Sequence, residues 1–408
     1  MPANKNPNET SPRRHWLTRG VLGIGLASLF SDWGHEAATA ILPAFLASLG
    51  APAYALGIIE GVSDGLSSFA KLAGGWIADR PALRKPAGIL GYLATGVSTF
   101  AYAFAHTWPA VLLIRALGWI GRGERGPSRD TLLANAVAPG TEGRAFGFER
   151  AMDTIGAVIG PLCATALLGI LGMRGVFLWT LAPGLAAAVV FAFLAPSASR
   201  EKTHLAPTFL SSIRELPRTF WHFLAGVFAH GIGDFAPTLL ILRASQILAP
   251  RVGAGRAAAI SVGLYTFHNF VNAATTYPAG ALGDRIGKRG LLAAGYLIAA
   301  ITYAAFILEP PTIHVLIILF GLAGVHTGIQ QSLEKSLAAE LLPAHVRGSG
   351  FGVLATANGI GDLISSIAVG ALWSAVSPAA GFLYAAAFTT LGALLIYFFT
   401  GRRASNSM

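Results

Sequence analysis

The sequence predicts an all-helical integral membrane protein of twelve transmembrane helices arranged as two six-helix bundles. Three observations support this fold class. Of the 408 residues, 54% are hydrophobic and only 12% are charged, whereas soluble domains carry about 25% charged residues. The apolar residues form runs of about 20, long enough for a helix to cross a hydrocarbon core of about 30 Å. These runs lack the alternation of membrane strands, and motifs of the first half return in the second.

The apolar runs, bounded by short connectors that often contain Gly or Pro, predict the following spans. They are 17–49, 54–78, 87–105, 109–136, 145–171, 176–194, 220–242, 257–282, 291–308, 313–339, 351–376 and 379–400. The polar segment 195–219 is the one long connector. We therefore predict a first bundle over 1–194 with a short polar leader, a central loop over 195–219, and a second bundle over 220–408.

Lysines and arginines distribute unequally between the two sets of connectors. If the N-terminus is cytoplasmic, 18 of the 29 basic residues fall in cytoplasmic segments and four in outside loops. Cytoplasmic loops are enriched in Lys and Arg. The net charge of +10 therefore reflects the orientation of the chain in the membrane. The sequence has no basic-aromatic patch of the kind that binds nucleic acid. We expect a multi-pass inner-membrane protein with both termini in the cytoplasm.

The two halves repeat at an offset of 205 residues. GWIADR, beginning at Gly75, matches GALGDR, beginning at Gly280, and Phe146-Gly147 matches Phe351-Gly352. A repeat in the same orientation predicts two bundles related by an axis along the membrane normal, with a cavity between them. This is a transporter architecture.

These features resemble the major facilitator superfamily over the whole chain. The second copy, GALGDRIGKR, is close to the family motif G-x-x-x-D-R-x-G-R-K, and the first copy, GWIADRPALRK, departs from it after the arginine. In the family this loop is thought to latch the halves in one conformation. The resemblance assigns that role to the following residues of the two copies: Gly75, Asp79, Arg80, Gly280, Asp284, Arg285, Gly287, Lys288 and Arg289.

Two further motifs resemble those of the family. Arg115 occupies the place of a span-four arginine that is often linked to proton coupling. Gly156, Gly160 and Pro161 form a G-x-x-x-G-P sequence in span five, which is enriched in antiporters but is also common where helices pack. The resemblance therefore favours antiport over symport only slightly, and it implies a monomer.

Ionisable residues inside membrane spans are costly and usually face a cavity or a partner. The first half carries acidic stripes, from which we select proton-coupling candidates: Asp32, Glu36, Glu60, Asp64 and Asp153. The span-four arginines are substrate-cavity candidates, because guanidinium binds carboxylate and phosphate in a bidentate way: Arg115, Arg122, Arg125 and Arg129. Any of these arginines could instead form a buried structural ion pair.

The second half is more neutral and supplies further cavity candidates. They are His230, Asp234, His268, Asn272, His326, Gln330, Glu334 and Asn358. The histidines show no metal-ligand spacing in sequence, and the one cysteine, Cys163, makes no cluster. We therefore expect no metal and no cofactor.

The sequence thus predicts a secondary transporter working by alternating access. We expect a small-molecule substrate, with protons and the lipid bilayer as further partners, and efflux of an anionic or zwitterionic solute by proton antiport is favoured. Proton symport of a small solute and multidrug-type export of neutral or cationic compounds remain alternatives. A receptor or lipid flippase on the same fold is the rival from another class. No H-E-x-x-H motif and no phosphate loop occurs in the sequence.

Overall fold

The computed structural model describes residues 16–51, 53–197, 209–235, 237–307 and 312–399, and these contain helices and no strand. The prediction of an all-helical chain is confirmed. The α-helices are α1 (Arg19–Ser48), α2 (Ala53–Ala78), α3 (Pro81–Ala101), α4 (Trp108–Asn135), α5 (Glu142–Trp179), α6 (Leu181–Leu194), α7 (Phe209–Arg214), α8 (Arg218–Gly231), α9 (Pro237–Val252), α10 (Ala254–Ile286), α11 (Lys288–Ala305), α12 (Ile313–Leu341), α13 (Arg347–Ala375) and α14 (Pro378–Phe399). The predicted leader lies outside the described residues.

Among the described residues, five helical stretches are long and apolar enough to cross a membrane by length and composition. They are Pro81–Phe104, Glu142–Leu194, Ile313–Leu341, Ala344–Trp373 and Pro378–Phe399. The second of these has 53 residues, and Gly172 divides it with a φ of +64°, a conformation that favours glycine. The total of twelve spans stays a prediction.

The predicted seventh span, 220–242, is wrong as a single helix. The structure has α8 and α9 there, separated by a non-helical stretch that begins after Gly231. Gly233 donates its backbone N–H to the carbonyl of His230 over 2.7 Å, which closes a tight turn in place of the helical ladder. A short helix, α7, also lies within the segment predicted as a polar loop. Hydropathy does not report such breaks, because the residues on both sides are equally apolar.

Helices α1 to α6 pack mainly on one another, as do α8 to α14. The two sets meet where α5 packs on α10 and α2 packs on α13. A shift of 205 residues carries α2 onto α10 and α5 onto α13. The two packing pairs are therefore equivalent, as a twofold relation requires. The rings of Phe146 and Phe351, which are also repeat equivalents, meet with centroids 5.8 Å apart. The described contacts between the halves therefore include residues close to the pseudo-twofold axis.

Large apolar side chains remain exposed along the helices. Phe69, Ile170, Phe193 and Phe270 are 77%, 80%, 78% and 68% exposed. Many other large apolar side chains are more than a third exposed, and extensive apolar surface marks a membrane or protein contact. Hydrocarbon chains of a bilayer are the solvent that suits these faces.

Candidate functional site

At one end of the bundles, Asp79 joins α2 to the start of α13. Its carboxylate accepts the backbone N–H groups of Gly348 at 2.7 Å and Ser349 at 3.0 Å. The first turn of a helix has unpaired N–H groups and a partial positive charge, so a carboxylate is favourable there. Burial raises the pKa of Asp79 to about 6 against these opposing hydrogen bonds.

Asp284 makes the equivalent contact in the second copy. It accepts the backbone N–H groups of Gly143 at 2.9 Å and Arg144 at 3.0 Å, at the start of α5. The accepting aspartates of the two contacts are 205 residues apart, and so are the residues that donate the N–H groups. Lys288 adds an ion-pair cluster here, with Glu142 at 2.9 Å and Asp284 at 3.4 Å. This second contact is therefore the more charged of the two.

Glycines allow the helices of this end to approach closely. A Cβ on Gly280 would lie 2.0 Å from the carbonyl oxygen of Gly143. A Cβ on Gly75 would lie 2.8 Å from the carbonyl oxygen of Gly348. In this conformation the end that carries the repeat motif is closed.

The other motif residues lie around this closed end. The guanidinium of Arg80 lies 3.6 Å from the ring centroid of Trp76, and that of Arg289 lies 5.7 Å from a tyrosine ring of α14. Arg285 is exposed. Gly287 separates α10 from α11 with a φ of +104°, which explains glycine at this position.

In the middle of the first half, Asp32 of α1 pairs with Arg122 of α4. Nη2 of Arg122 lies 3.0 Å from Oδ1 of Asp32, and the side chains of Arg122 and Asp32 are 27% and 6% exposed. Nη1 of Arg122 is buried with no hydrogen-bond partner among the described residues. Glu36 and Asp153 interact electrostatically with the same arginine. Three proton-coupling candidates thus act electrostatically on one guanidinium, and Asp32 contacts it directly.

Arg129 lies in a buried network of ion pairs and hydrogen bonds. Its Nη1 lies 2.6 Å from Glu149 and 3.2 Å from the Ser28 hydroxyl, and its Nη2 lies 3.0 Å from Asp130. Asp130 in turn pairs with Lys335 of the other half at 2.8 Å. The Arg129 guanidinium therefore contacts two carboxylates and a hydroxyl.

The two remaining span-four arginines lie on aromatic rings. Arg125 is 3% exposed, donates to the Ser31 hydroxyl over 2.6 Å, and lies 4.1 Å from the Tyr92 ring centroid. Within the described ranges it forms no ion pair with a carboxylate. Arg115 is 2% exposed and lies 4.2 Å from the Trp119 ring centroid.

Asp153 pairs with Arg150, which lies one turn earlier on α5. The same arginine donates Nε to the Gln331 side-chain oxygen of the other half over 2.8 Å. The candidates Glu60 and Asp64 lie on α2, but their side chains are outside the described residues.

The span-five motif packs on α1. A Cβ on Gly156 would lie 2.2 Å from the Leu29 carbonyl oxygen, and one on Gly160 would lie 2.6 Å from that of Trp33. Pro161 follows within α5. The glycines therefore permit a close helix contact and do not line the ion pair directly.

In the second half, polar side chains of α8, α11 and α12 gather together. His230 lies 3.5 Å from Asp234 and stacks on the Tyr296 ring with centroids 3.8 Å apart. Tyr303 donates its hydroxyl to Asp234 over 2.9 Å. The ring of His326 lies 5.1 Å from that of His230.

Glu334 of α12 completes this group. It accepts the Tyr296 hydroxyl at 2.5 Å and the Asn358 amide at 2.8 Å. His268 and Asn272 are buried one turn apart on α10, where the Asn272 side chain accepts a threonine hydroxyl of its own helix at 3.2 Å. Gln330 is half-buried on α12.

Sequence reasoning missed the tyrosines of α11. Tyr296 and Tyr303 are neutral, so a search for charges inside spans passes over them. Their spacing of seven residues places both on one helix face. That spacing, beside the predicted acidic positions, is the signal that could have found them.

Comparisons with known proteins agree with this architecture. The family model of the Major Facilitator Superfamily matches residues 24–249 and 247–407. An uncharacterized MFS-type transporter of Methanocaldococcus jannaschii is 28% identical over 408 residues, covering 97% of this chain and 98% of the relative.

Solved structures show the same fold at low sequence identity. The Escherichia coli fucose:proton symporter FucP aligns with a TM-score of 0.72 and 15% identity, covering 95% of this chain and 100% of that one. The human organic anion transporter MFSD10 aligns with a TM-score of 0.68 and 15% identity, covering 93% and 99%. The sequence-based identification of fold and family is confirmed: this chain is an integral multi-pass membrane protein that belongs to the major facilitator superfamily of transporters.

Proposed function

We propose that this transporter carries a small organic anion together with a proton, and that Asp32 and Arg122 couple the two. The observation that carries the proposal is their 3.0 Å ion pair between α1 and α4, in which the arginine is 27% exposed. One guanidinium nitrogen is engaged by the aspartate and Nη1 has no hydrogen-bond partner among the described residues. A carboxylate or phosphate of a substrate fits this nitrogen.

Among the described residues, Arg122 and Arg125 have fewer direct carboxylate contacts than Arg129. Arg125 lies on the same helix three residues further on, with aromatic and hydroxyl contacts in place of a carboxylate. Arg129, by contrast, is neutralised by Glu149 and Asp130. The cationic part of α4 is therefore the stretch of Arg122 and Arg125, which favours an anionic cargo over a cationic one.

The ion pair also favours a direction of coupling. An anion that binds Arg122 in a bidentate way occupies both Nη1 and Nη2, so it displaces Asp32 from Nη2 and leaves a buried carboxylate without its cation. Leaving one member of such a pair charged costs about 3–5 kcal/mol, and proton uptake removes that charge. Anion and proton then bind together, which is the requirement for symport. Antiport requires that they exclude each other, so the geometry favours symport over the exchange that the sequence slightly favoured.

Alternating access would then proceed from the conformation seen here, in which the motif-bearing end is closed. We place that end in the cytoplasm, on the positive-inside distribution of basic residues. The substrate and the proton would enter from the outside and leave after the contacts of Asp79 and Asp284 release.

Proteoliposomes test this function. A panel of organic anions is first screened by thermal stabilisation of the purified protein, and hits are assayed for flux with a pH-sensitive dye inside the vesicles. Symport acidifies the lumen as the anion enters, antiport alkalinises it, and no pH change rules out proton coupling. Arg122→Ala is expected to lose binding, whereas Asp32→Asn keeps binding and loses proton-driven accumulation. Arg218→Ala, an exposed arginine at the start of α8, is the control. Normal accumulation in Asp32→Asn contradicts the proposal.

A further inference from the structure

The second half contains a cluster of ligand atoms that the anion site does not use. One ligand atom each from His230, Asp234 and His326 lies within 4.8 Å of the other two. Sequence spacing does not reveal this cluster, because His230 and His326 lie on different helices about a hundred residues apart. We propose that these three side chains bind a divalent first-row transition metal ion, with Zn²⁺ as the expected ion.

The tautomer of His326 supports this role. Its Nδ1 lies 3.0 Å from the carbonyl oxygen of Gly295, and a carbonyl only accepts, so in the neutral ring Nδ1 carries the proton. The lone pair is then on Nε2, which is buried and has no hydrogen-bond partner in the described part of the chain. Metal-bound histidines typically donate the other ring N–H to a carbonyl or carboxylate in this way.

His230 on α8 also offers a buried ring nitrogen for a metal ion. Its side chain is fully buried, and neither ring nitrogen has a hydrogen-bond partner among the residues described. Leaving a buried polar atom unpaired costs about 1–3 kcal/mol. A metal ion bound at Nε2 would remove that cost. The Tyr296 ring, stacked at 3.8 Å between centroids, holds the imidazole plane in place.

Asp234 supplies the negative charge and the access route. Its side chain is 23% exposed, whereas both histidines are buried. The Tyr303 hydroxyl donates to Oδ1 over 2.9 Å, and this leaves Oδ2, 3.5 Å from His230 Nε2, for the metal. Within the described ranges no lysine or arginine pairs with Asp234, so no protein cation competes with the metal for it.

The geometry requires only small movements. Tetrahedral Zn²⁺ with ligand distances of about 2.0–2.2 Å places its ligand atoms about 3.3–3.6 Å apart. With every ligand pair within 4.8 Å, no pair needs to close by more than about 1.5 Å. Two histidines and a carboxylate, with water or substrate as a fourth ligand, form a known kind of zinc site. A bound ion would join α8 to α12 within the second half.

Equilibrium binding of Co²⁺ tests the proposal, since Co²⁺ replaces Zn²⁺ and its visible absorption reports coordination. The full chain is purified on a tag without histidines and stripped with chelator. We expect one Co²⁺ per protein with tetrahedral or five-coordinate absorption, displaced by Zn²⁺ and not by Mg²⁺. His326→Gln and Asp234→Asn are expected to weaken binding at least tenfold. His222→Gln, an exposed histidine on α8, is expected to bind as the wild type does.

Tyr303→Phe gives a milder variant that keeps all three ligands. It is expected to weaken binding about tenfold, the lower range for removal of a hydrogen bond to a ligand. The proposal is overturned if the wild type shows no saturable Co²⁺ binding, or if His326→Gln and Asp234→Asn bind as tightly as His222→Gln. Each variant is checked by its metal-free melting temperature, so that a misfolded sample is recognised.

Discussion

Replacing Gly280 by alanine is expected to open the end of the protein that carries the repeat motif. A Cβ there would lie 2.0 Å from the carbonyl oxygen of Gly143, against an ordinary contact of at least 3.4 Å. The two backbones would have to separate by about 1.4 Å. That movement would stretch the 2.9 Å hydrogen bond from Gly143 to Asp284 to about 4.3 Å, beyond hydrogen-bonding range.

The magnitude follows from the hydrogen bonds that this separation breaks and from the steric clash that drives it. Asp284 makes two charge-assisted hydrogen bonds to α5, each of which contributes about 1.5–3 kcal/mol. Overpacking in a tight contact costs about 1–3 kcal/mol. Partial relaxation offsets part of both, so we expect a shift of about 2 kcal/mol toward the open end. This corresponds to about a 30-fold change in the ratio of closed to open protein.

Distances between spin labels measure this ratio. Cys163 is the only cysteine, so a Cys163→Ser background accepts labels at Leu83 and Ala344, which are exposed at this end in the first and second halves. The matched control is Gly290→Ala, because a Cβ on Gly290 meets nothing within 4 Å. The reasoning is refuted if Gly280→Ala gives the same distance distribution as Gly290→Ala.

Three other groups in the two halves are open to the same kind of test. Burial raises the pKa of Asp79 to about 6 in the closed conformation from 3.8 in water, so protons favour closure, and the effect is lost as pH rises through 6. The ratio of closed to open protein should rise about tenfold as the pH is lowered from 8 to 5. In the Asp79→Asn variant, the spin-label distances should no longer depend on pH in this range. Glu149→Gln removes one of the two carboxylate partners of the buried Arg129 and leaves Asp130. It should lower stability by about 1.5–3 kcal/mol, seen as a lower melting temperature; an unchanged melting curve would contradict a structural role for the pair. Lys335→Met should separate the halves by removing the 2.8 Å pair with Asp130, and an unaltered label distance would show that this pair does not contribute to closure.

Part of the site geometry could be predicted from the repeat in the sequence. Asp79 and Asp284 were recognised as equivalent because the offset of 205 residues aligns their motifs. The structure adds what they bind, which is the start of α13 and of α5. Those partners also obey the offset, so the repeat could have located them once the partner helices were known.

The roles of the span-four arginines could not be read in this way. Helical spacing places them within one broad face, yet Arg129 pairs with Glu149 while Arg122 pairs with Asp32. The difference arises from which neighbouring helix lies opposite each turn of α4. Sequence spacing carries no information on that neighbour.

The sequence by itself determined that the chain lies in a lipid bilayer, that it is helical, and that its two halves repeat. Few charges and apolar runs of about 20 residues fit only a bilayer-spanning helical chain. The tertiary structure alone decided which charges meet, where the seventh span breaks, and that His230, Asp234 and His326 come together from distant segments. The physical reason is that periodicity fixes the direction of a side chain about its own helix axis, whereas pairing depends on the packing of separate helices.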